Sequence, residues 1–142
     1  VVSEIFNETK YSPAGKEICV VANSNEFGSV MSKVLTDLGA TVKVVSPDNE
    51  DLAKTSSCAD VLITAVGRPG IIKADHVKEG VMIIDIGITK SEDGKVRGDV
   101  DAESVKDRAE WLTPVPGGVG PITIAAALKN VVEIWKKKNN KG

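Results

Sequence analysis

The chain has 142 residues, 42% hydrophobic and 27% charged, with a formal net charge of −2. That size and balance fit one soluble globular domain around a single core. The charge argues against nucleic acid as the main partner, and no apolar run approaches the ~20 residues that span a membrane.

Glycine is plentiful (13 residues) and aromatics are scarce (4%), so the core must be aliphatic, as suits a parallel sheet. Val1, Val2, Ile5 and Phe6 share one face of an opening helix. The chain opens on Val1 rather than Met, and the pattern starts mid-helix; the expectation is a fragment with a further part upstream. Ser12–Gly15 is a turn, and Ile18–Ala22 a first buried strand. A helix is predicted over residues 27–38, with Phe27, Met31, Val34, Leu35 and Leu38 as its apolar stripe and Gly39 as its stop. Thr41–Val45 is a second strand and Asn49–Lys54 a short helix. Val61–Ala65 is a third strand, followed by the loop Val66–Gly70 and a helical turn at Ala74–Val77. Met82–Ile86 is a fourth strand, and a polar hairpin follows with Glu92-Asp93-Gly94 at its tip. Trp111–Thr113 is a last short strand, and a final helix is predicted over 122–137. The basic run Lys136–Lys138 with Lys141 reads as a solvated helix end.

Cys19 and Cys58 lie in apolar segments without metal-ligand spacing, so buried free thiols and no metal site are expected. Free thiols suggest the cytoplasm; a mitochondrial matrix fits them equally well.

The alternation predicts an α/β fold, a doubly wound, Rossmann-like, mostly parallel sheet with helices on both faces. Ligands on such a sheet bind outside the carboxyl ends of its strands. The segments there are Asn23–Gly28, Ser46–Asn49, Val66–Gly70, Gly87–Thr89 and Pro114–Thr123, and they should share one crevice. The loop after the first strand has one glycine, Gly28, and no Gly-x-Gly.

The string "TPVPGGVGPITIAAALKN" (113–130) is the most specific text in the chain. Prolines stiffen its start, glycines permit close backbone approach, and a helix begins at once, aiming free amides at the loop. It closely resembles the C-terminal signature of the bifunctional methylenetetrahydrofolate dehydrogenase/cyclohydrolase family. "GKEICVVANSNEFGSVM" (15–31), "ADVLITAVGRPGII" (59–72), "KEGVMIIDIGI" (78–88) and "GKVRGDVD" (94–101) are similar to that family's nucleotide-binding domain in the same order.

The resemblance implies one NAD(P)-binding domain over residues 1–142, whose catalytic domain lies upstream. It implies two reactions: hydride transfer from methylenetetrahydrofolate to NAD or NADP, then hydrolysis of the methenyl product. The expected cofactor contacts are Ser24, Asn25, Gly28, Ser46, Asp48, Val66, Gly67, Ile86, Ile88, Gly120 and Thr123. Ser24 would meet the phosphates or ribose, Ile86 and Ile88 would hold the cofactor at the fourth strand's exit, and Gly120 and Thr123 would lie near the nicotinamide. Pro116 and Gly117 would line the folate side, the folate being shared with the upstream domain. A homodimer is a further implication. The plainer readings are packing for Ile86 and Ile88, a loop hydroxyl for Ser24, a structural turn for Pro116–Gly120 and a cap-region role for Thr123.

Several positions depart from the family's pattern. Ala22-Asn23 stands where the family has Gly-Arg or Gly-Ala, and Val30 where it has Pro. If position 22 needs a positive φ, alanine there costs about 1 kcal/mol. Glu26 replaces an apolar residue; about 4 Å from a phosphate it would repel by ~1 kcal/mol in water and ~4 kcal/mol at an effective dielectric of 20. Dinucleotide binding should then be weak or absent unless Glu26 points outward. The second strand's exit reads Ser46-Pro47-Asp48-Asn49 in place of His-Ser-Lys-Thr, so its Lys is missing along with the Arg at position 23, two cations that would favour NADP. Asp48, 20 residues after Gly28, suits a ribose 2′-hydroxyl and favours NAD; its alternative is to cap the next helix.

No Tyr-x-x-x-Lys is present, Tyr11 and Lys16 being misspaced, so no catalytic residue is assigned. His76 reads as a surface residue and Asp85 as a structural carboxylate bonding backbone amides. Two functions remain: the nucleotide-binding half of a folate enzyme, inactive alone as a cyclohydrolase, or a divergent non-catalytic domain kept for dimerisation or ligand sensing.

Overall fold

The computed structural model describes residues 1–121 and 123. Seven strands run in chain order: β1 (Glu17–Ala22), β2 (Thr41–Val45), β3 (Val61–Ala65), β4 (Val81–Asp85), β5 (Thr89–Lys90), β6 (Val96–Arg97) and β7 (Ala109–Leu112). The helices are α1 (Val2–Glu8), α2 (Asn25–Asp37), α3 (Leu52–Ser56) and α4 (Ala102–Val105), with a 3-10 turn at Ala74–His76. Five strands form one parallel sheet in the order β2-β1-β3-β4-β7, and β5 and β6 form a separate antiparallel hairpin.

β3 and β4 lie inside the sheet with nearly every residue buried, the signature of strands covered on both faces. On one face Ile18, Val20, Val61, Ile63, Met82 and Ile84 pack with Val2, Ile5 and Phe6 of α1 and Leu35 of α2. On the other, Cys19, Val21, Leu62, Val81 and Ile83 pack with Leu52 of α3 and Val105 of α4. Each fully buried aliphatic side chain stabilises by about 1.5–3 kcal/mol. β1 sends the chain to edge strand β2 and receives it back at β3 on its other side. The winding therefore reverses between β1 and β3, which makes the carboxyl ends of those strands the natural ligand crevice.

α2 starts at Asn25, two residues before the expected position, because Ser24 is its N-cap and accepts from the Phe27 amide (3.2 Å). It ends in a Schellman motif: Gly39 (φ +87°) donates to Thr36 and Ala40 to Leu35. Only Leu35 of its expected stripe is buried; Phe27 and Met31 are partly so, and Val34 and Leu38 are exposed. α2 packs over β1 and edge strand β2, and the edge covers it incompletely. The expected helix at 49–54 is corrected to Leu52–Ser56. Ser46 Oγ and Asn49 Oδ1 accept from the Asp48 and Asp51 amides, and these local bonds hold 46–51 in turns. Cys19 is buried, but Cys58 is exposed, against expectation, since it follows α3 at the surface. Ala22 has no positive φ, so the expected strain there does not arise. The expected helix over 122–137 and the basic run at its end lie outside the described residues, save Thr123. Among the described residues no helix is long and apolar enough to cross a membrane, and no cluster of His, Cys, Asp or Glu could hold a metal.

Gly28 is buried on the inner side of α2, and a Cβ there would lie 2.7 Å from Val44 Cγ1 on β2. Its place is fixed by close helix–strand approach. Gly28→Ala gains about 1 kcal/mol of helix propensity and loses at least that to the clash. The substitution is expected to be neutral to destabilising alone, and stabilising by about 1 kcal/mol in a Val44→Ala background. Urea unfolding of the four proteins measures the coupling, and additive effects would contradict this packing.

At the sheet's amino edge, Asp60 accepts from Lys78 Nζ (2.6 Å) and from the Glu17 amide (2.9 Å), tying the starts of β1 and β3 to the segment before β4. The Lys78 hydrogen bond first, then the Glu17 amide, hold its carboxyl below the usual range. A depressed folded-state pKa stabilises above the unfolded value, and that stabilisation is lost as pH falls through the folded value. Asp60→Asn is therefore expected to cost about 1 kcal/mol at neutral pH, with the deficit closing below about pH 3.9. A deficit independent of pH in urea titrations would contradict the assignment.

Candidate functional site

Two buried aspartates organise the carboxyl edge. Asp85, at the end of β4, accepts from the amides of Gly87 (2.9 Å), Asp99 (3.2 Å) and Val100 (2.9 Å). Asp99, after β6, accepts from Thr64 Oγ1 (2.8 Å) and from the amides of Val66 (2.7 Å) and Arg68 (2.9 Å). The two interlock through glycine: a Cβ on Gly98 would collide with the Asp85 carboxylate, and one on Gly87 with that of Asp99. Burial pushes the Asp85 carboxyl above its ordinary pKa; the three amides pull it down and Asp99 pushes it further up, the net direction being up. The structural role expected of Asp85 is thus what its contacts show. Asp99 is not among the residues the sequence singles out: it lies inside "GKVRGDVD", and the only signal for its burial is the glycine before it.

These bonds hold the loop after β3 in place. Val66 donates its amide to Asp99, and its carbonyl accepts from Asn23 Nδ2 (2.8 Å). The Asn23 bond crosses from β1 to β3 where the winding reverses. Both polar groups of the Val66 backbone are therefore engaged within the protein, and its side chain is buried, while Gly67 is exposed at φ +74°.

The proline-glycine string joins the same edge. Thr113 Oγ1 accepts from the Asp85 amide (2.8 Å), and the Val115–Pro116 peptide is cis. Val119 belongs to the same hydrophobic cluster as Ala22, against which Phe27 and Ile86 also pack, so this string and α2 cover the same face of the sheet. A cavity of about 400 Å³ is lined by Asp85, Ile88, Val96 and the run from Pro114 to Pro121. Four expected contacts meet there: Ile88, Pro116, Gly117 and Gly120. Ile88 is 60% exposed, so the described residues do not bury it, and a Cβ on Gly120 would stand 3.8 Å from its Cδ1. Ile86 is half-buried against the core. Thr123 Oγ1 donates to the Val119 carbonyl (2.8 Å), one helical turn back.

The remaining expected contacts do not line this cavity. Ser24 Oγ donates to Glu26 Oε2 (2.9 Å), and Glu26 is exposed in the first turn of α2. Its own backbone amide first, then the Ser24 hydroxyl, hold its carboxyl below the usual range. The protein's own carboxylate thus stands at the helix start where a phosphate would sit. Asn25 lines a separate open hollow with Ser29 and Val44. Gly28, facing Val44, serves packing in this structure. Ser46 is exposed and accepts from the Asp48 amide (3.3 Å).

Asp48 does not cap α3, whose N-cap residue is Asp51. Instead it pairs with Arg68: Nη1 lies 2.5 Å from Oδ1 and Nη2 3.2 Å from Oδ2. Hydrogen bonding to Arg68 first, then its charge, lower the Asp48 pKa. His76 Nδ1 accepts from the Lys73 amide (3.3 Å) and lies 2.8 Å from Asp75 Oδ1, completing its own turn. Lys16 lies with its Nζ 5.9 Å from the Tyr11 ring centroid, at the amino edge and away from this crevice.

A parallel sheet whose winding reverses beside a helix start and a glycine-rich crevice defines a doubly wound, Rossmann-like nucleotide-binding domain. Residues 1–139 match the family model described as tetrahydrofolate dehydrogenase/cyclohydrolase, NAD(P)-binding domain, and the chain belongs to that family. It is 49% identical over 135 residues to the bifunctional protein FolD of Nautilia profundicola, covering 95% of this chain and 48% of the relative. The crystal structure of the bifunctional FolD enzyme from Campylobacter jejuni superposes with a TM-score of 0.91 at 39% identity, over 96% of this chain and 49% of that one. The Trypanosoma brucei enzyme, complexed with NADP cofactor and inhibitor, superposes with a TM-score of 0.88 at 31% identity, over 96% and 49% of the two chains. The chain spans about half the length of the curated relatives it matches.

Proposed function

We propose that this chain holds the nicotinamide dinucleotide for a methylenetetrahydrofolate dehydrogenase/methenyltetrahydrofolate cyclohydrolase, with the remaining catalytic groups on an upstream domain. The observation that carries the reading is the cavity between Ile88 and the Pro116–Gly120 string at the carboxyl edge. A bound dinucleotide would supply the hydride acceptor. Ile88 and Gly120 would press on the nicotinamide end, Pro116 and Gly117 would face the folate, and Ser24 would turn to the phosphates. Glu26 is compatible with this use because it is exposed, so a rotation away from Ser24 would clear the helix start. The missing cations at positions 23 and 48 favour NAD over NADP. No lysine-tyrosine pair sits at this crevice among the described residues, so the segment alone should not run the cyclohydrolase step. The folate shared between domains and a homodimer belong to the same reading.

Titration with NAD and NADP, followed by tryptophan fluorescence, tests it. Saturable binding below the millimolar range is expected; no response to either would overturn the reading. Silence would favour instead a non-catalytic domain serving dimerisation or ligand sensing, which the Glu26 carboxylate at the start of α2 supports. Glu26→Gln removes the charge at the start of α2 and is expected to tighten dinucleotide binding about tenfold. An unchanged Kd would show that Glu26 stays clear of the phosphates.

A further inference from the structure

β2 and β3 flank β1 in the sheet, so the turns that follow them stand roughly 10 Å apart. The Asp48–Arg68 ion pair closes that gap and arches over the carboxyl end of β1, where the loop bearing Ser24 begins. Neither charge is needed by the core: their side chains are 70% and 50% exposed. The paired geometry uses two of the guanidinium's five N–H groups and leaves lone pairs on both carboxylate oxygens. Each partner can therefore add a ligand without abandoning the other.

On doubly wound sheets an acid about twenty residues beyond the loop glycine accepts from the adenosine ribose 2′-hydroxyl, whereas an arginine nearby takes a 2′-phosphate. This chain puts both types at that place and pairs them. We propose that the Asp48–Arg68 pair reads the 2′-position of the adenosine ribose, Asp48 accepting from a free hydroxyl and Arg68 donating to a phosphate. The pair then sets the ratio of NAD to NADP affinity, and Arg68 supplies the cation that positions 23 and 48 lack. The proposal rests on the dinucleotide reading above and adds the residue that selects between the two cofactors.

While paired, the two charges largely cancel. Loss of either uncovers the other, so the two substitutions should move selectivity in opposite directions. Asp48→Asn is expected to shift the affinity ratio about tenfold towards NADP, and Arg68→Gln about tenfold towards NAD. The experiment titrates the chain and both variants with NAD and NADP at one fixed ionic strength. It then repeats the titrations with 5′-AMP and adenosine 2′,5′-bisphosphate, which carry the ribose end alone. The same opposite shifts with the adenosine probes would confirm the placement. Ratios within twofold of the parent in both variants would overturn this proposal and leave the dinucleotide reading standing. A parent chain that binds neither dinucleotide would overturn both.

Discussion

Asp99→Ala is expected to destabilise the protein by about 3–5 kcal/mol and to abolish dinucleotide binding. The carboxylate is fully buried and is the acceptor for three donors: the Thr64 hydroxyl and the Val66 and Arg68 amides. Each donor orphaned in the interior costs about 1–3 kcal/mol. The full sum is not expected, because Thr64 can turn its hydroxyl and water can enter the space left behind. Binding fails for a separate reason. Val66 and Arg68 carry the loop that faces the reversal point, and Asp99 alone fixes their amides. Asp99→Asn keeps one oxygen but turns an amide NH₂ towards the donors, so roughly half the loss should remain. Urea unfolding measures the stability and fluorescence titration the binding. A loss below about 1 kcal/mol for the alanine variant would contradict the role given to this side chain.

Gly98→Ala should be nearly as costly, about 3 kcal/mol, with a Tm lower by about 10 °C. The added methyl would land on the Asp85 carboxylate and within 2.9 Å of Val115 Cγ2. Asp85 cannot rotate aside without dropping the amides of Gly87, Asp99 and Val100. Gly87→Ala meets the Asp99 carboxylate in the same way. Gly67→Ala is the control. A Cβ there meets nothing within 4 Å, and only the φ of +74° resists it, at about 1–2 kcal/mol. Equal effects at positions 67 and 98 would show that backbone conformation, not the interlock with Asp85, explains these glycines.

Much of the frame is legible in the residues. The sequence pattern places Val61–Ala65 and Thr41–Val45 to the residue, and β1 and β4 to within one, because uninterrupted aliphatic runs bounded by turns leave few alternatives. The short elements were less legible. The sequence pattern puts α3 too early, since turn bonds from Ser46 and Asn49 compete with helix over the same residues. α4 was missed; its one signal is Asp101 three residues before Ser104, whose amide it caps.

The site divides in the same way. The cavity residues Ile88, Pro116, Gly117 and Gly120 were named from the chain because one contiguous string and one strand end supply them. Asp99 and Arg68 were not, because each acts on residues 20 or more positions away: Asp99 on Thr64, Arg68 on Asp48. Nothing local in a charged residue's surroundings announces which distant loop it will meet. Gly28 carries the opposite lesson. The sequence offers it as a ligand glycine, and the structure shows a second demand on it, close helix–strand packing against Val44.

The central claim is that the carboxyl edge of this sheet receives a dinucleotide, from Ser24 and Asp48 at one end to Gly120 at the other. Amide chemical shifts followed during titration with NADP test it most directly. The largest changes are expected at Ser24, Asn25, Gly67, Ile88 and Gly120, with none at the amino edge around Glu17, Asp60 and Lys78. Changes centred on the amino edge, or no saturable change anywhere, would contradict it.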